Sequence, residues 1–347
     1  MNTDVPLSNA KQTAQEVKYL EGISPKNIPS VLLNSHEPIV LKGYCNHWPL
    51  VKAAKQSDEA AKQYLLQFDE GANFHTHYLP SAAQGRVFYN QDMTGFNFAS
   101  KQQKLPKLLD DILQTAQSKT GECVYVSATS LAQSLPSLLK QIETLPDITS
   151  PLVNIWLGNA SRIAAHYDFA QNFACCVVGK RRFTLFPPEQ LKNLYVGPLD
   201  KAPGGQEIST VDVANPDLAE HPKYSEALEA AQVAELELGD ALILPSMWWH
   251  HVQGLSAFNV LITHWWRDSP AQMGRPMNAL LLAMMSVRDL PTHQRDAWKN
   301  LFDHYVFAHQ PENFSHIPEA TKSILASPMD DISLRKLRAE LQNKLRR

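Results

Sequence analysis

Hydrophobic and polar positions follow two different periods along this chain. Between residues 38 and 266 the apolar residues fall into short runs or strict alternation bounded by Gly, Pro, Asn and Asp, which is the pattern of strands. It predicts strands over 38–43, 73–78, 86–90, 122–127, 173–178, 182–186, 234–238, 241–244 and 258–266. Alternation within 122–127 puts Cys123 and Tyr125 on one face and Val124 and Val126 on the other. Two stretches change to helical spacing. One is 57–68, opened by Ser57 as N-cap with Asp58 and Glu59 in the first turn; the other is 104–117, with Leu105, Leu108, Leu109, Ile112 and Leu113 on one side. After Pro270 helical spacing takes over, in 277–287 (Leu280, Leu281, Met284, Met285), 294–307 (Trp298, Leu301, Phe302, Tyr305) and 333–345 (Leu334, Leu337, Leu341, Leu345).

Many short strands with turn signals predict a mainly β fold with flanking helices, a double-sheet jelly roll whose interior can house a metal. Residues 1–36 read as an N-terminal arm, polar and loose or briefly helical up to Glu21, then punctuated by Pro25 and Pro29. One large β domain covers 37–268, and 269–347 forms a helical region whose apolar stripes pack on the barrel or on a second copy. That makes the tail a candidate dimerisation module. Inside the β domain, 189–235 loses periodicity and carries Gly197-Pro198, Pro203-Gly204-Gly205 and Asn215-Pro216, the features of a lid or binding loop.

Composition narrows the function classes. With a net charge of -3 over 347 residues, extensive wrapping of nucleic acid is not expected. Cys45, Cys123, Cys175 and Cys176 show no C-x-x-C pair or disulfide-like spacing, so buried free thiols and a reducing compartment are expected. No secretory apolar stretch opens the chain and no apolar run is long enough for a membrane span, so the expected location is cytoplasmic.

The chemistry concentrates in two blocks. His166 and Asp168 stand two apart in a strand-flanked segment, so one imidazole and one carboxylate share a face. A third ligand is available from His250 or His251 at the end of the block that starts at Gly239-Asp240. Two His and one carboxylate form the facial triad of non-haem Fe(II) oxygenases, which leaves three positions open. His75 and His77 make a second i, i+2 pair, for which a structural or substrate-facing role is weighed against a metal half-site.

The blocks His166-Tyr167-Asp168, Asn172-Phe173, Gly179-Lys180-Arg181-Arg182-Phe183-Thr184-Leu185-Phe186-Pro187-Pro188 and Gly239-Asp240 through Trp248-Trp249-His250-His251 resemble the cupin-like JmjC hydroxylases, and among them the asparaginyl hydroxylases. The resemblance spans about residues 37–268. It implies a double-stranded β-helix that uses Fe(II), 2-oxoglutarate and dioxygen on a peptide or small-molecule substrate, a modified nucleoside included. It carries the metal triad onto His166, Asp168 and His250, the ligand directly following the aromatic pair, with His251 turned away. It implies Arg181 as the clamp for the distal carboxylate of 2-oxoglutarate, where the family usually has lysine, with Tyr125 beside it and Asn172 near the cosubstrate. Thr263 stands where the family has an asparagine, and Ile163 where hydroxylases commonly have threonine.

The bland readings stand beside these. Arg181 competes with a solvated Lys180-Arg181-Arg182 turn; Trp248, Trp249, Trp265 and Trp266 fit barrel-wall packing better than substrate contact; His264 fits a core histidine. Histone demethylation is disfavoured by the lack of a reader module or basic tail. The leading function is a 2-oxoglutarate-dependent hydroxylase, expected as a homodimer. The alternative, kept open by Ile163 and Thr263, is a metal-binding cupin working without 2-oxoglutarate, as an isomerase, another dioxygenase, or a sensor or interaction protein.

Overall fold

A computed structural model describes residues 15–118, 120–270 and 273–346. Residues up to Arg267 form one compact unit and those from Asp268 a second. The first unit contains β1 (Gln15–Glu16), β2 (Lys18–Leu20), β3 (Ile39–Leu41), β4 (Asn73–Leu79), β5 (Arg86–Val87), β6 (Ala99–Lys104) and β7 (Cys123–Ser130). It continues with β8 (Leu152–Gly158), β9 (Arg162–His166), β10 (Gln171–Val178), β11 (Arg181–Phe186), β12 (Gln232–Leu236), β13 (Ala241–Leu244), β14 (Trp249–Gly254) and β15 (Asn259–Trp266).

These strands make two sheets, a nine-stranded one in the order β2-β3-β13-β10-β15-β8-β7-β4-β6 and a six-stranded one in the order β1-β12-β11-β14-β9-β5. Their facing sides enclose a core that includes Ala174, Cys176, Leu242 and Leu261 of the large sheet and Phe183, Leu185, Leu236 and Val252 of the small one. Two sheets closed over a shared interior bear out the expected jelly roll.

The reverse face of the large sheet is covered by helices. Ile155, Leu157, Phe173, Cys175 and Ile262 pack there with Leu105, Leu108, Leu109 and Ile112 of the helix Leu105–Ser118. Cys175 and Cys176 therefore lie on opposite faces of β10, as alternation requires, and all four cysteines are buried free thiols. Asp58–Leu66 is the capped helix expected: Ser57 Oγ accepts from the N–H of Ala60 at 3.0 Å, a cap worth about 1 kcal/mol.

The arm departs from expectation. Residues 15–20 are neither loose nor helical: β1 pairs parallel with β12 in one sheet and β2 parallel with β3 in the other. Between them Val17, 2% exposed, enters the shared core, so the crossing segment closes that end of the sandwich. The expectation for residues 1–14 lies outside the described residues.

The segment 189–235 is also more built than a lid. Leu194, Val211, Val213, Tyr224 and Ala227 pack with Ala165, Phe186 and Trp249 on the outer face of the small sheet, forming a satellite core. Scattered apolar residues without a fixed period had obscured this.

The second unit contains helices Pro276–Ser286, Thr292–Phe302 and Asp331–Leu345. Asp330 caps the last one by accepting from Ile332 N–H and Ser333 N–H at 2.8 and 2.9 Å. Leu280, Leu281, Met285, Trp298, Leu301, Val306 and Phe307 are exposed. Among the described residues no helix is long and apolar enough to cross a membrane.

Candidate functional site

The site begins with an irregularity in β9. That strand pairs with β14 through His166 opposite His250 and Ile163 opposite Val252, so three steps along β9 match two along β14. The extra residue is a β-bulge at Ala164-Ala165, opposite His251. Because of it, Ile163 and His166 face the interior together, as His250 and Val252 do across the ladder. Asp168 follows where the chain leaves β9. Met247, held at φ +69°, donates its N–H to Asp168 O at 2.9 Å, and Ser246 Oγ donates to Phe169 O at 2.9 Å, which ties the two turns together.

Three ligand atoms converge here. One from each of His166, Asp168 and His250 lies within 4.8 Å of the others, and His250 Nε2 is 3.6 Å from Asp168 Oδ2. His166 Nδ1 lies 2.9 Å from Ala164 O and His250 Nδ1 3.0 Å from Trp248 O. A carbonyl can only accept, so each Nδ1 carries a proton, which leaves Nε2 as the ring nitrogen that can offer a lone pair. Burial pushes the Asp168 carboxyl up, against the pull of His166. Burial, with His166 adding to it, pushes His250 well down, against the bond to Trp248 O. Two Nε2 atoms and a carboxylate oxygen converging in a buried space, with no Lys or Arg paired to Asp168 among the described residues, suit a divalent metal.

Facing this group is the inner side of the large sheet. Tyr125 on β7 lies opposite Gly158 on β8, where a Cβ would meet Val124 O at 2.8 Å and the Tyr125 ring at 3.4 Å; glycine makes room for the ring. Further along, Thr263 and Asn172 face the same interior from β15 and β10. Trp156 donates its indole N–H to Thr263 Oγ1 at 3.0 Å and packs beside Ile163 and Tyr125, an apolar wall.

Arg181 enters from β11. Gly179, at φ +76°, makes the preceding turn, and a Cβ there would sit 2.4 Å from Phe258 O. The turn sends Lys180 and Arg182 outward to Glu237 and Glu235, while Arg181 is 3% exposed. Its Nε has no partner, and among the described residues no carboxylate lies within ion-pair distance. Burial lowers its pKa, with Cys176 and Tyr125 close enough to act on it. Tyr125, whose own pKa burial raises, lies within electrostatic reach of both Arg181 and Asp168.

The remaining residues singled out in the sequence fall elsewhere. His251 is buried on the outer side of the small sheet, where burial pushes it down to about 3. His77 lies inside, opposite Tyr125, with Nδ1 2.8 Å from Ser100 Oγ, and burial lowers it to about 4. No third ligand joins His75 and His77 among the described residues. His264 is buried against Phe173 on the helix-covered face, pushed down to about 4. Trp248, Trp249 and Trp266 pack in cores, while Trp265 is half-buried with its ring 6.0 Å from Trp156. Asp240 is structural, accepting from Gly43 N–H and Glu237 N–H and pairing with Lys42.

Sequence reasoning missed Glu207. It is 6% exposed and takes the hydroxyl of Tyr167, while Ile208 bridges to His166 and Ser209 N–H donates to Ala165 O at 2.7 Å. This strip of the 189–235 segment secures the end of β9 that lies beyond its pairing with β5. Nothing in its local sequence marks it.

A double-stranded β-helix with two imidazoles and a carboxylate gathered at one end of its interior defines a cupin-type, JmjC-like protein. The chain belongs to the family of cupin-like domains, whose sequence profile matches residues 25–272. It is 24% identical over 239 residues to lysine-specific demethylase 8 of Xenopus tropicalis, covering 66% of this chain and 48% of that protein. It is 30% identical over 118 residues to lysine-specific demethylase JMJ31 of Arabidopsis thaliana, covering 34% of this chain and 21% of that protein. With tRNA wybutosine-synthesizing protein 5 of Gallus gallus it shares 22% identity over 326 residues, covering 84% of this chain and 94% of that protein. Members of this superfamily are typically Fe(II)- and 2-oxoglutarate-dependent oxygenases. The chain thus spans half or less of the two demethylases it matches.

Proposed function

We propose that this chain is an Fe(II)- and 2-oxoglutarate-dependent oxygenase that hydroxylates a substrate C–H bond. His166, Asp168 and His250 would hold the metal. Arg181 and Tyr125 would hold the distal carboxylate of 2-oxoglutarate, with Asn172 and Thr263 at its other end. Bound Fe(II) with 2-oxoglutarate would supply activation of dioxygen and the oxidising power for hydroxylation.

The observation that carries the reading is the buried Arg181 guanidinium without an anion. A charge that far from water calls for an anion, and among the described residues no carboxylate lies within ion-pair distance, while Nε has no partner. A dicarboxylate supplies one, and a guanidinium fork grips it through two parallel bonds. The protein's other contributions follow from its packing. Ala164 O and Trp248 O fix the imidazole tautomers, Ile163 and Trp156 keep water from the cosubstrate, and Glu207 steadies the ligand-bearing strand.

Substrate class is open between a protein side chain, an N-methyl carbon and a nucleoside, the last two suggested by the relatives' names. The exposed apolar residues of the helical unit support its reading as a homodimer surface, to be checked by light scattering. A second reading, a metal-binding cupin that dispenses with 2-oxoglutarate, is favoured by Ile163, which offers no hydrogen bond, and by Thr263 in place of an asparagine. Anaerobic titration of the Fe(II)-loaded protein with 2-oxoglutarate separates the two. The first expects the visible charge-transfer band of a chelated keto acid, weakened in Arg181→Ala; iron binding without the band supports the second.

A further inference from the structure

Among the described residues, the buried interior atoms without a partner are three donors, Arg181 Nε, Trp265 Nε1 and Asn154 Nδ2, and one acceptor, Asn172 Oδ1. Asn154 has no part in the reading above. Native proteins leave few buried polar atoms unpaired, and each one calls for an explanation, an ordered water or a bound group among them. We propose that Asn154 is a binding residue for 2-oxoglutarate, donating its amide N–H to the carboxylate that lies at Asn172 and Thr263. This rests on the oxygenase reading.

The position follows from strand register. Asn154 is 3% exposed in β8, and its neighbours Val153 and Ile155 pack on the helix-covered face, so its side chain faces the interior. It lies directly opposite Thr263, which in turn lies opposite Ala174, two residues from Asn172. Opposed side chains in an antiparallel pair have Cβ atoms about 4.5–5.5 Å apart, so Asn154 and Thr263 form one edge of the same pocket. Thr263 Oγ1 already accepts from Trp156, which leaves its O–H to donate.

Two donors, Asn154 Nδ2 and the Thr263 hydroxyl, thus lie side by side on the interior face, and the unpaired acceptor there, Asn172 Oδ1, is on β10, two strands from Asn154. A carboxylate offers about four acceptor sites and no donor, which matches that demand. In effect Asn154 supplies, from the adjacent strand, the amide that position 263 lacks.

Isothermal titration of the Mn(II)-loaded protein with 2-oxoglutarate, with melting temperatures recorded for the ligand-free proteins, tests the proposal. Asn154→Leu is expected to leave Mn(II) affinity unchanged and to weaken 2-oxoglutarate binding about 10-fold, the loss of one charge-assisted bond. Without ligand it is expected to melt at or above the wild-type temperature, because an unpaired donor has been removed. Asn154→Asp, close to isosteric, is expected to weaken binding about 100-fold or more through like-charge repulsion, and it carries the test if the leucine variant does not fold. Unchanged 2-oxoglutarate affinity in both variants overturns the proposal. So does a lowered melting temperature in Asn154→Leu with affinity intact, since that marks a structural amide. Wild-type protein that binds Mn(II) but no 2-oxoglutarate overturns the oxygenase reading itself, and this proposal with it.

Discussion

Arg181→Met exposes the bargain at the centre of this site. Arg181 is 3% exposed and, among the described residues, no carboxylate lies within ion-pair distance of it. An uncompensated buried charge costs roughly 3–5 kcal/mol. Methionine fills a similar volume without charge, so the ligand-free variant should be more stable than wild type by about 3 kcal/mol. For a unit of this size each kcal/mol moves the melting temperature by roughly 2–4 °C, which places the expected rise at about 6–12 °C. Ligand affinity should move the other way. Losing two charge-assisted bonds, at about 1.5 kcal/mol each or more, weakens 2-oxoglutarate binding on the order of 100-fold. Scanning calorimetry of both proteins, with and without Mn(II) and 2-oxoglutarate, reads both effects. A ligand-free Arg181→Met protein that melts below wild type would refute the reasoning, because it would mean that the folded chain already compensates the charge.

Further outcomes follow from the same geometry. Asp168→Asn removes a buried carboxylate whose pKa burial raises, so the metal-free variant should melt higher than wild type at pH 8 while losing all stabilisation by Mn(II). The signs of the pH dependence are opposite for the two groups. The raised Asp168 contributes stability at low pH that is lost as pH rises through its folded value, whereas the depressed His250 contributes stability above the ordinary imidazole range that is lost as pH falls. Mn(II) affinity, which needs both groups deprotonated, should therefore climb with pH across the acidic range in calorimetric titrations. His250→Ala should abolish metal binding; His251→Ala should retain it and cost about 2 kcal/mol of stability from the cavity left under the outer core, as read by denaturant melts. Gly158→Ala should push β8 from β7 and displace the Tyr125 ring, costing about 1–3 kcal/mol by denaturant melt and weakening 2-oxoglutarate binding with Mn(II) affinity preserved.

The parts of this fold that were legible are those encoded locally. Ser57 with two acids behind it announces a helix start, Gly179 a turn that only glycine makes comfortably, and the i, i+2 spacing of His166 and Asp168 a shared direction. What stayed hidden depends on partners distant in the chain. β1 and β2 are two and three residues long and largely exposed; only pairing with β12 and β3 makes them strands. β6, with the sequence ASKQQK, has no apolar face because it lies at an edge. Asn154 sits in an apolar strand like any tolerated polar residue, and only the register opposite Thr263 gives it meaning. The 189–235 segment misled through its irregular spacing, since its buried residues are drawn from turns rather than from a periodic element.

The irregularity in β9 has a consequence for how this strand can vary. It holds one residue more than its partner requires, two small buried alanines where one would complete the ladder. Deleting Ala165 would leave Ile163 and His166 two apart, and plain alternation would still point both inward. What the shortened strand would lose is the local bend that the surplus residue imposes. The spare alanine is thus an adjustment of angle rather than of side: it sets the slant at which the His166 imidazole meets Asp168 and His250, leaving the rest of the ladder in place.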